Sequence, residues 1–587
     1  MTDIPRFDIT QVDGALGTLP PDAYQAKVGV CSAGPVNTPT LIGSKGQLSD
    51  TFGTGPLCEA VAYQLDLTQA PVLVCRATGS GGAALGSVVR YGAGTIGASL
   101  ATDPGNTSTA VATLSVTGTL ARPYAVRVRV SQAGANLAAA PQIQYSLDGG
   151  LTWSTAMVAL AGPVALGSSG LSLSWADGSF VAANSWTGQG ARAATGAATM
   201  AVTGSPLDAY DVIVRIVRGA ANLAANLATY RVSLDGGITF GPELAMPTGG
   251  TVSLASAGVS LVFANGGGGG GTAFVAGDEL AFRTTAPETT LSYLQAAWEA
   301  LMASPYDAES VHVVGAIDAT VATALDVLAT AAVGDHKPRW VIVETRAPRA
   351  DESMGAWRSA IIADFEDFVS DRVIATAGRT ELLSVLTTRY AWRSAGTVVA
   401  ARAALVPISE DLAWVARGAL PGVRAIDHDE DATPGLNAAR FTTLRQHQGR
   451  RGYYITNPLT MAEAGSDYQL LQYRRVWDRA YRVVRAAGLG FLSADVLVNP
   501  SGVQAPLVPG AIDEVDAGNF EELTRDALME SLVRTTPRHA TDVEVTVDRS
   551  NNVLSTQLLN VDWAITPKGY LKRISGRLGF ENPGRNL

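Results

Sequence analysis

Five acidic or imidazole side chains stand in a row at Asp427-His-Asp-Glu-Asp431, the densest run of metal-ligating types in the chain. A calcium loop uses oxygen ligands at alternate positions, but it also needs a central Gly and a distal Glu, and this run has neither. It reads as a solvated acidic loop ahead of Thr433-Pro434-Gly435. Asp318 and Glu344 each end an apolar run, the place where α/β enzymes hold catalytic carboxylates. Strand ends tolerate polar side chains generally, and that plainer reading is favoured. Cys31, Cys58 and Cys75 are too few and too far apart for a disulfide framework or a zinc site. His312, His336, His428, His447 and His539 are scattered. The inventory points to no enzyme, no metal and no cofactor.

The elements that would position any site follow from length and patterning. A chain of 587 residues with 47% hydrophobic content buries a large core and divides into several domains. A net charge of −10 without a dominant basic stripe argues against nucleic acid as a partner. No apolar run reaches the roughly 18 residues that a membrane-spanning helix needs. Met1-Thr-Asp-Ile-Pro lacks the features of a signal peptide, so a soluble protein made in the cytoplasm is expected, with no membrane insertion.

Residues 1–24, with Pro5, Pro20 and Pro21, read as an arm. The segment 25–105 reads as a β-β-α-β unit followed by a Gly/Ala/Ser-rich linker. Its strands are AKVGVC, PTLIG and PVLVCRA, with Ser44 capping a short helix and Pro56 opening a longer one. The segment 287–540 alternates strands (311–318, 340–345, 373–378) with helices and predicts a mixed, largely parallel layered sheet. Gln469–Ala487 is a helix with Leu470, Tyr473, Val476, Trp477, Tyr481 and Val484 on its apolar side. Arg474, Arg475, Arg479, Arg482 and Arg485 carry the rest, and an acidic helix at Glu521–Glu530 is their nearest complement.

Between these parts lies an internal repeat. Val116-Thr-Gly, Tyr124-AVRVRV, Ala135-Asn-Leu and SLDGG at 146–150 recur as Val202-Thr-Gly, Tyr210-DVIVRIV, Ala221-Asn-Leu and SLDGG at 233–237. The copies predict two inserted all-β modules, 106–199 and 200–286, with Gly266–Gly271 as a loop tip. Ser146 to Trp153 resembles the Asp-box of sialidase-like propellers; Ser233 to Phe240 repeats it with Phe for Trp. Asp148 and Asp235 are expected to bond the turn backbone, with Trp153 and Phe240 packed beneath. The resemblance also keeps a second function open, a carbohydrate-binding or glycan-cleaving tail protein, for which paired catalytic carboxylates are not evident.

The stretch from Val28 to Ala77 resembles the N-terminal core motif of contractile-tail sheath proteins. Gly29, Gly34, Pro35, Asn37, Pro39, Ser44, Phe52, Gly53 and Arg76 match that pattern in order. GYYITNPL (452–459), Tyr473-Arg-Arg and Ala395-Gly396 with Arg402 extend the likeness more loosely. The resemblance implies a structural subunit that polymerises as stacked hexameric rings around an inner tube and contracts to drive that tube through a host envelope. It implies as partners further copies of itself, the tube protein, and baseplate and tail terminator proteins. The setting would be a phage virion or related particle assembled in the host cytoplasm. The insertions at 106–286 lie outside the likeness.

The chain's end, 541–587, is where exchange between subunits is expected. Asn519 is read as the cap of an amphipathic helix, with Glu522 in its capping box. Thr541–Asp548, Leu558–Ile565 and Tyr570–Phe580 are read as strands. The last carries Lys568, Tyr570, Leu571, Lys572, Arg573, Ile574, Arg577, Leu578 and Phe580 with no loop returning it to a core. A terminal strand without a partner in its own chain is a candidate for donation to a neighbour.

Overall fold

Continuous apolar runs make strands that bury both faces, and six of them form one sheet, ordered Thr40–Ile42, Val72–Arg76, Tyr24–Gly29, Ala308–Ala316, Trp340–Glu344, Val373–Thr376. All neighbours are parallel except the edge pair Thr40–Ile42 and Val72–Arg76. The computed structural model describes residues 24–79, 83–96, 100–116, 120, 123–150, 152–167, 169–190, 192–266, 272–349, 352–502 and 507–580. The expected N-terminal arm, apart from Tyr24, and most of the Gly-rich tip lie outside them. Two compact units result: Met1–Leu405 with Arg417–Glu463, and Val406–Ala416 with Ala464–Leu587.

In the first unit the sheet's pleat sorts its side chains. Leu73 and Cys75 face a core with Trp298, Trp357, Phe365 and Phe441. Val72 and Val74 face another with Phe52, Leu57 and Val61 from the helices Lys45–Phe52 and Pro56–Thr68. The three cysteines are buried in these cores, where they behave as small apolar groups.

Two β lobes follow. In the first, strands between Ala101 and Gly190 form a three- and a five-stranded sheet around Trp175, Phe180 and Trp186. Trp175 and Trp186 meet edge to face at 4.8 Å. In the second, a six- and a three-stranded sheet enclose Tyr230, Phe263, Phe274 and Phe282.

The stretch expected to be a linker is in part structured. Val89–Ile96 pairs with Glu279–Arg283 and Arg192–Ala193 in the second lobe, and Ala101–Thr102 pairs with Ser185–Gly190 in the first. Its Gly, Ala and Ser content conceals this because the ladder is made by backbone groups whose partners come far later in the chain. The chain enters and leaves the lobes side by side: Ala84 and Thr285 exchange two hydrogen bonds of 2.8 and 3.0 Å, next to a Leu85–Thr284 bridge.

In the second unit the helix expected from Asn519 runs over Glu514–Leu528, capped by Asp513, which accepts from the Val515 amide at 3.0 Å. Asp513 is as good a cap as Asn519, and Gly518 is tolerated inside the helix at a cost of about 1 kcal/mol. The strand Ala540–Val547 pairs antiparallel with Val561–Pro567. Val543, Val545 and Leu528 join Val476 and Ala480 of the helix Leu471–Gly488 in one core. The unit therefore takes in Val406–Ala416 and everything from Ala464, ahead of the boundary expected at 541, because those helices cover the inner face of the hairpin.

Candidate functional site: a fastened tail beside an open hairpin

The hairpin Ala540–Val547/Val561–Pro567 is a two-stranded sheet, and among the described residues neither outer edge carries a further strand. Alternate residues of Ala540–Val547 are buried, whereas Val561–Pro567 is largely exposed, with Trp563 39% accessible. Glu521 accepts from the Val547 amide at 2.7 Å. Glu521 and Glu514 also clasp Arg549 in the turn, at 2.7 Å each. The acidic helix thus finds a cation in its own hairpin. Nor do the arginines of Leu471–Gly488 all face outward as expected: Arg474 and Arg475 are buried with Asp478. Tyr468 and Trp477 flank the Arg474 guanidinium at 4.3 and 4.2 Å, which makes its burial tolerable.

The chain then leaves the hairpin and is fastened at three residues. Lys568 Nζ donates to the Arg538 carbonyl at 3.1 Å, and its carbonyl accepts from the Tyr473 hydroxyl at 3.2 Å. The Tyr570 hydroxyl donates to the Ser409 carbonyl at 2.7 Å, while its ring lies 5.4 Å from that of Tyr473. Lys572 pairs with Asp411. Ser409 Oγ meets His539 Nδ1 at 3.1 Å, and burial together with Lys568, Arg479 and Arg475 lowers the His539 pKa to about 4.

From Arg573 to Phe580 the chain has no regular secondary structure and pairs with no strand among the described residues, so Tyr570–Phe580 is not a strand within the subunit. Its backbone groups have no partner strand, and Arg573 and Arg577 are exposed with the rest. Leu571, Ile574, Leu578 and Phe580 are 86–110% accessible. Four large apolar groups fully in water, at roughly 1.5–3 kcal/mol of burial energy apiece, constitute an unsatisfied surface.

The nine motif residues near the N-terminus build one local structure. Gly34, at φ +91°, lies so close to the Phe52 ring that a Cβ would sit 2.6 Å from it. Arg76 reaches back to the Gly34 carbonyl at 2.6 Å, and Arg76's own carbonyl accepts from the Asn37 amide at 2.9 Å. Gly53 ends the helix Lys45–Phe52, which Ser44 caps. Gly29 passes within 3.0 Å of Val314 by the same Cβ measure. Pro35 is exposed and Pro39 half-buried in the connecting turn.

Each Asp-box is a self-contained turn. Asp148 accepts from Ser146 Oγ (2.7 Å), the Thr152 amide (2.9 Å) and Thr152 Oγ1 (2.6 Å). Asp235 does the same with Ser233 and Thr239. Trp153 and Phe240 are half-buried, each under a guanidinium 4.2 Å away, from Arg129 and Arg215.

The remaining candidates are structural. Asp318 caps the helix Ala319–Gly334. His428 and Glu430 are buried, not solvated: they bond each other at 3.0 Å, and Glu430 also receives the Gly435 and Asn437 amides. Glu344 belongs to a buried chain that pattern reasoning missed. Lys27 Nζ lies 3.0 Å from His312 Nδ1, His312 Nε2 lies 2.9 Å from Glu344 Oε1, and the Gly315 amide donates to Oε2 at 2.9 Å. The signal was there: a Lys and a His in the middle of otherwise apolar strands. Burial lowers Lys27 to about 7 and His312 to about 4. Among the described residues no group of three or more His, Cys, Asp or Glu is placed to hold a metal, and no helix is long and apolar enough to cross a membrane.

The sequence matches the DUF2586 N-terminal domain over residues 4–458 and the DUF2586 C-terminal domain over residues 467–585; the chain belongs to that family. Solved structures similar to it are sheath tail proteins and contractile injection sheaths. The sheath tail protein from Listeria innocua has 10% identity and a TM-score of 0.41, covering 93% of this chain and 92% of that one. The one from Desulfitobacterium hafniense has 10% identity and a TM-score of 0.39, covering 96% and 100%. The contracted sheath complex of the extracellular contractile injection system PVC has 11% identity and a TM-score of 0.37, covering 53% and 78%. No curated protein matches the chain.

Proposed function

We propose that the chain is the structural subunit of a contractile tail sheath, which stacks as hexameric rings around an inner tube and contracts to drive the tube through a host envelope. The observation that carries this reading is the tail. It is fastened through Lys572 and then exposes Ile574, Leu578 and Phe580 up to residue 580, in a unit whose hairpin carries no further strand at either edge among the described residues. A strand given to a neighbour's sheet satisfies both surfaces at once. Because donor and acceptor surfaces differ, each subunit gives and receives, and such a head-to-tail contact propagates as a polymer. The nine-residue motif at Gly29–Arg76 supports the same reading from the sequence side.

On this reading residues 1–24 are a second exchanged arm, the β lobes between Ala84 and Thr285 are insertions carried on the outside, and the tube, baseplate and terminator proteins are partners. Work comes from relaxation of a metastable lattice. Negative-stain electron microscopy of the purified protein is the test. Rings or tubes are expected; monodisperse particles at every concentration would overturn the reading.

A further inference from the structure

Between the two β lobes lies an open cleft of about 300 Å³, at the small end of the range for ligand sites, roughly 300–1,000 Å³. Its walls come from both repeat copies: Leu147 and Asp148 from the first Asp-box turn, Gly236 and Gly237 from the second. The two turns are equivalent in the repeat. Asp148 bridges to Ala125 as Asp235 bridges to Asp211, and the Gly149 and Gly236 amides donate to the Ala125 and Asp211 carbonyls at 2.9 and 2.8 Å. Asp148 is committed to its own turn, so the cleft's chemistry comes from elsewhere.

That chemistry is two ion pairs and a phenol. Arg283 donates to Asp211 at 2.7 and 3.2 Å, and Arg215 to Glu279 at 2.5 Å. Tyr91 lies beside Glu279, and burial together with that carboxylate raises the phenol's pKa. Val89 and Ala125 pack with Tyr91 to give an apolar patch beside these polar groups. Asp211 and Glu279 are each held by a guanidinium, so the lining offers fixed acceptors next to fixed donors. Three carboxylates (Asp148, Asp211, Glu279) stand against two arginines, and a phosphate or other anion would have to part an arginine from its partner to enter. A ligand bearing adjacent hydroxyls, each a donor and an acceptor, needs no such rupture. An apolar C–H face completes the match to Val89, Ala125 and the Tyr91 ring.

We infer that the cleft between the β lobes, lined by Tyr91, Asp211, Arg215, Glu279 and Arg283, binds a neutral saccharide of one or two rings. This inference stands apart from the sheath reading, since it concerns the folded subunit whether or not it polymerises.

Saturation-transfer NMR on the full chain tests it, with D-glucose, D-galactose, D-mannose, N-acetyl-D-glucosamine, maltose and lactose as probes, and sialic acid and inorganic phosphate as charged competitors. At least one neutral sugar is expected to bind. Asp211→Asn and Tyr91→Phe, each removing one polar contact, are expected to weaken that binding about tenfold, the equivalent of one charge-assisted hydrogen bond. Arg215→Met, at a half-exposed side chain, is the fallback should Asp211→Asn change the circular dichroism spectrum. No saturation transfer from any neutral sugar overturns the inference. So does binding that the folded variants leave unchanged, or displacement by sialic acid or phosphate at lower concentration than by sugar.

Discussion

Lys27 and His312 stand 285 residues apart in the chain, yet face each other across adjacent parallel strands with Nζ 3.0 Å from Nδ1. For Nδ1 to accept from the lysine, the imidazole must be neutral and carry its proton on Nε2, which then donates to Glu344. The trio thus closes a buried chain at the centre of the sheet. Removing one member leaves buried charge without its partner, at roughly 3–5 kcal/mol. Glu344→Ala is therefore expected to destabilise the first unit by that amount. The triple change Lys27→Met, His312→Leu and Glu344→Gln is expected to cost less than the three single changes summed, as a denaturation cycle would reveal. Additive costs would refute the coupling.

The same histidine predicts a pH dependence. The folded pKa of His312 is lowered to about 4 from an unperturbed 6.5, and that of His539 likewise. A depressed imidazole pKa means the unfolded chain takes up protons first as pH falls. Its contribution to stability is thus complete above 6.5 and lost on the way down to about 4. Most carboxylates held low begin to titrate only below 4.5, but burial pushes Glu59 and Asp326 up, which works in the opposite sense. The histidine substitutions isolate the effect. In melts between pH 7.5 and 5, His312→Gln and His539→Gln should each flatten the fall in stability, and an unchanged slope would contradict the assignment.

Each Asp-box aspartate holds three hydrogen bonds inside its own turn. Asp148→Ala and Asp235→Ala are expected to lower the stability of their lobes by about 1–3 kcal/mol each. Asp235→Ala, at a residue outside the cleft's lining, should leave sugar binding intact wherever the lobe stays folded. Thermal melts and the NMR titration read the two effects separately.

The neck at Ala84 and Thr285 defines a cut. Replacing residues 86–283 by a short Gly/Ser linker should leave the parallel sheet folded, because the ends to be joined are already hydrogen-bonded neighbours. One contact complicates it: Arg393 of the remaining core donates to Asp208 of the second lobe at 2.8 and 2.6 Å, and both side chains are largely buried. The excision should therefore be about 3 kcal/mol more stable when combined with Arg393→Met than without it. Equal melting of the two excised proteins would show that the pair contributes little.

Truncation is expected to behave in two steps. Removing residues 573–587 takes away only exposed chain and whatever follows it, so the melting curve should not move while polymer formation is lost. Removing 568–587 also deletes the Lys568, Tyr570 and Lys572 attachments and should lower the second unit's stability by a few kcal/mol, at about 0.5–1.5 per neutral hydrogen bond. A large destabilisation by the shorter truncation would place the tail in its own subunit's fold.

What the sequence alone determined is what neighbours along the chain decide. The strands at Val72–Arg76, Trp340–Glu344 and Val373–Thr376 are apolar runs that each close on a polar residue, and such runs are legible because they need only near neighbours; Asp318, read as a strand end, proved to be the cap of the helix from Ala319. The Asp-box turns were legible for the same reason, since every bond lies within four residues. What only the tertiary structure decided depends on backbone partners hundreds of residues away, or on which of two adequate local signals wins. Val89–Ile96 is a strand because Glu279–Arg283 lies beside it, despite its linker-like composition. Asp513 outcompetes Asn519 as a cap because the earlier start lets Ala517 join Phe520 in a buried core. Lys27, His312 and Glu344 become one group only when three strands align in register. The cleft takes its walls from both copies of one turn, and Tyr570–Phe580, strand-like in pattern, pairs with no strand among the described residues, because a ladder needs backbone partners that local pattern does not supply.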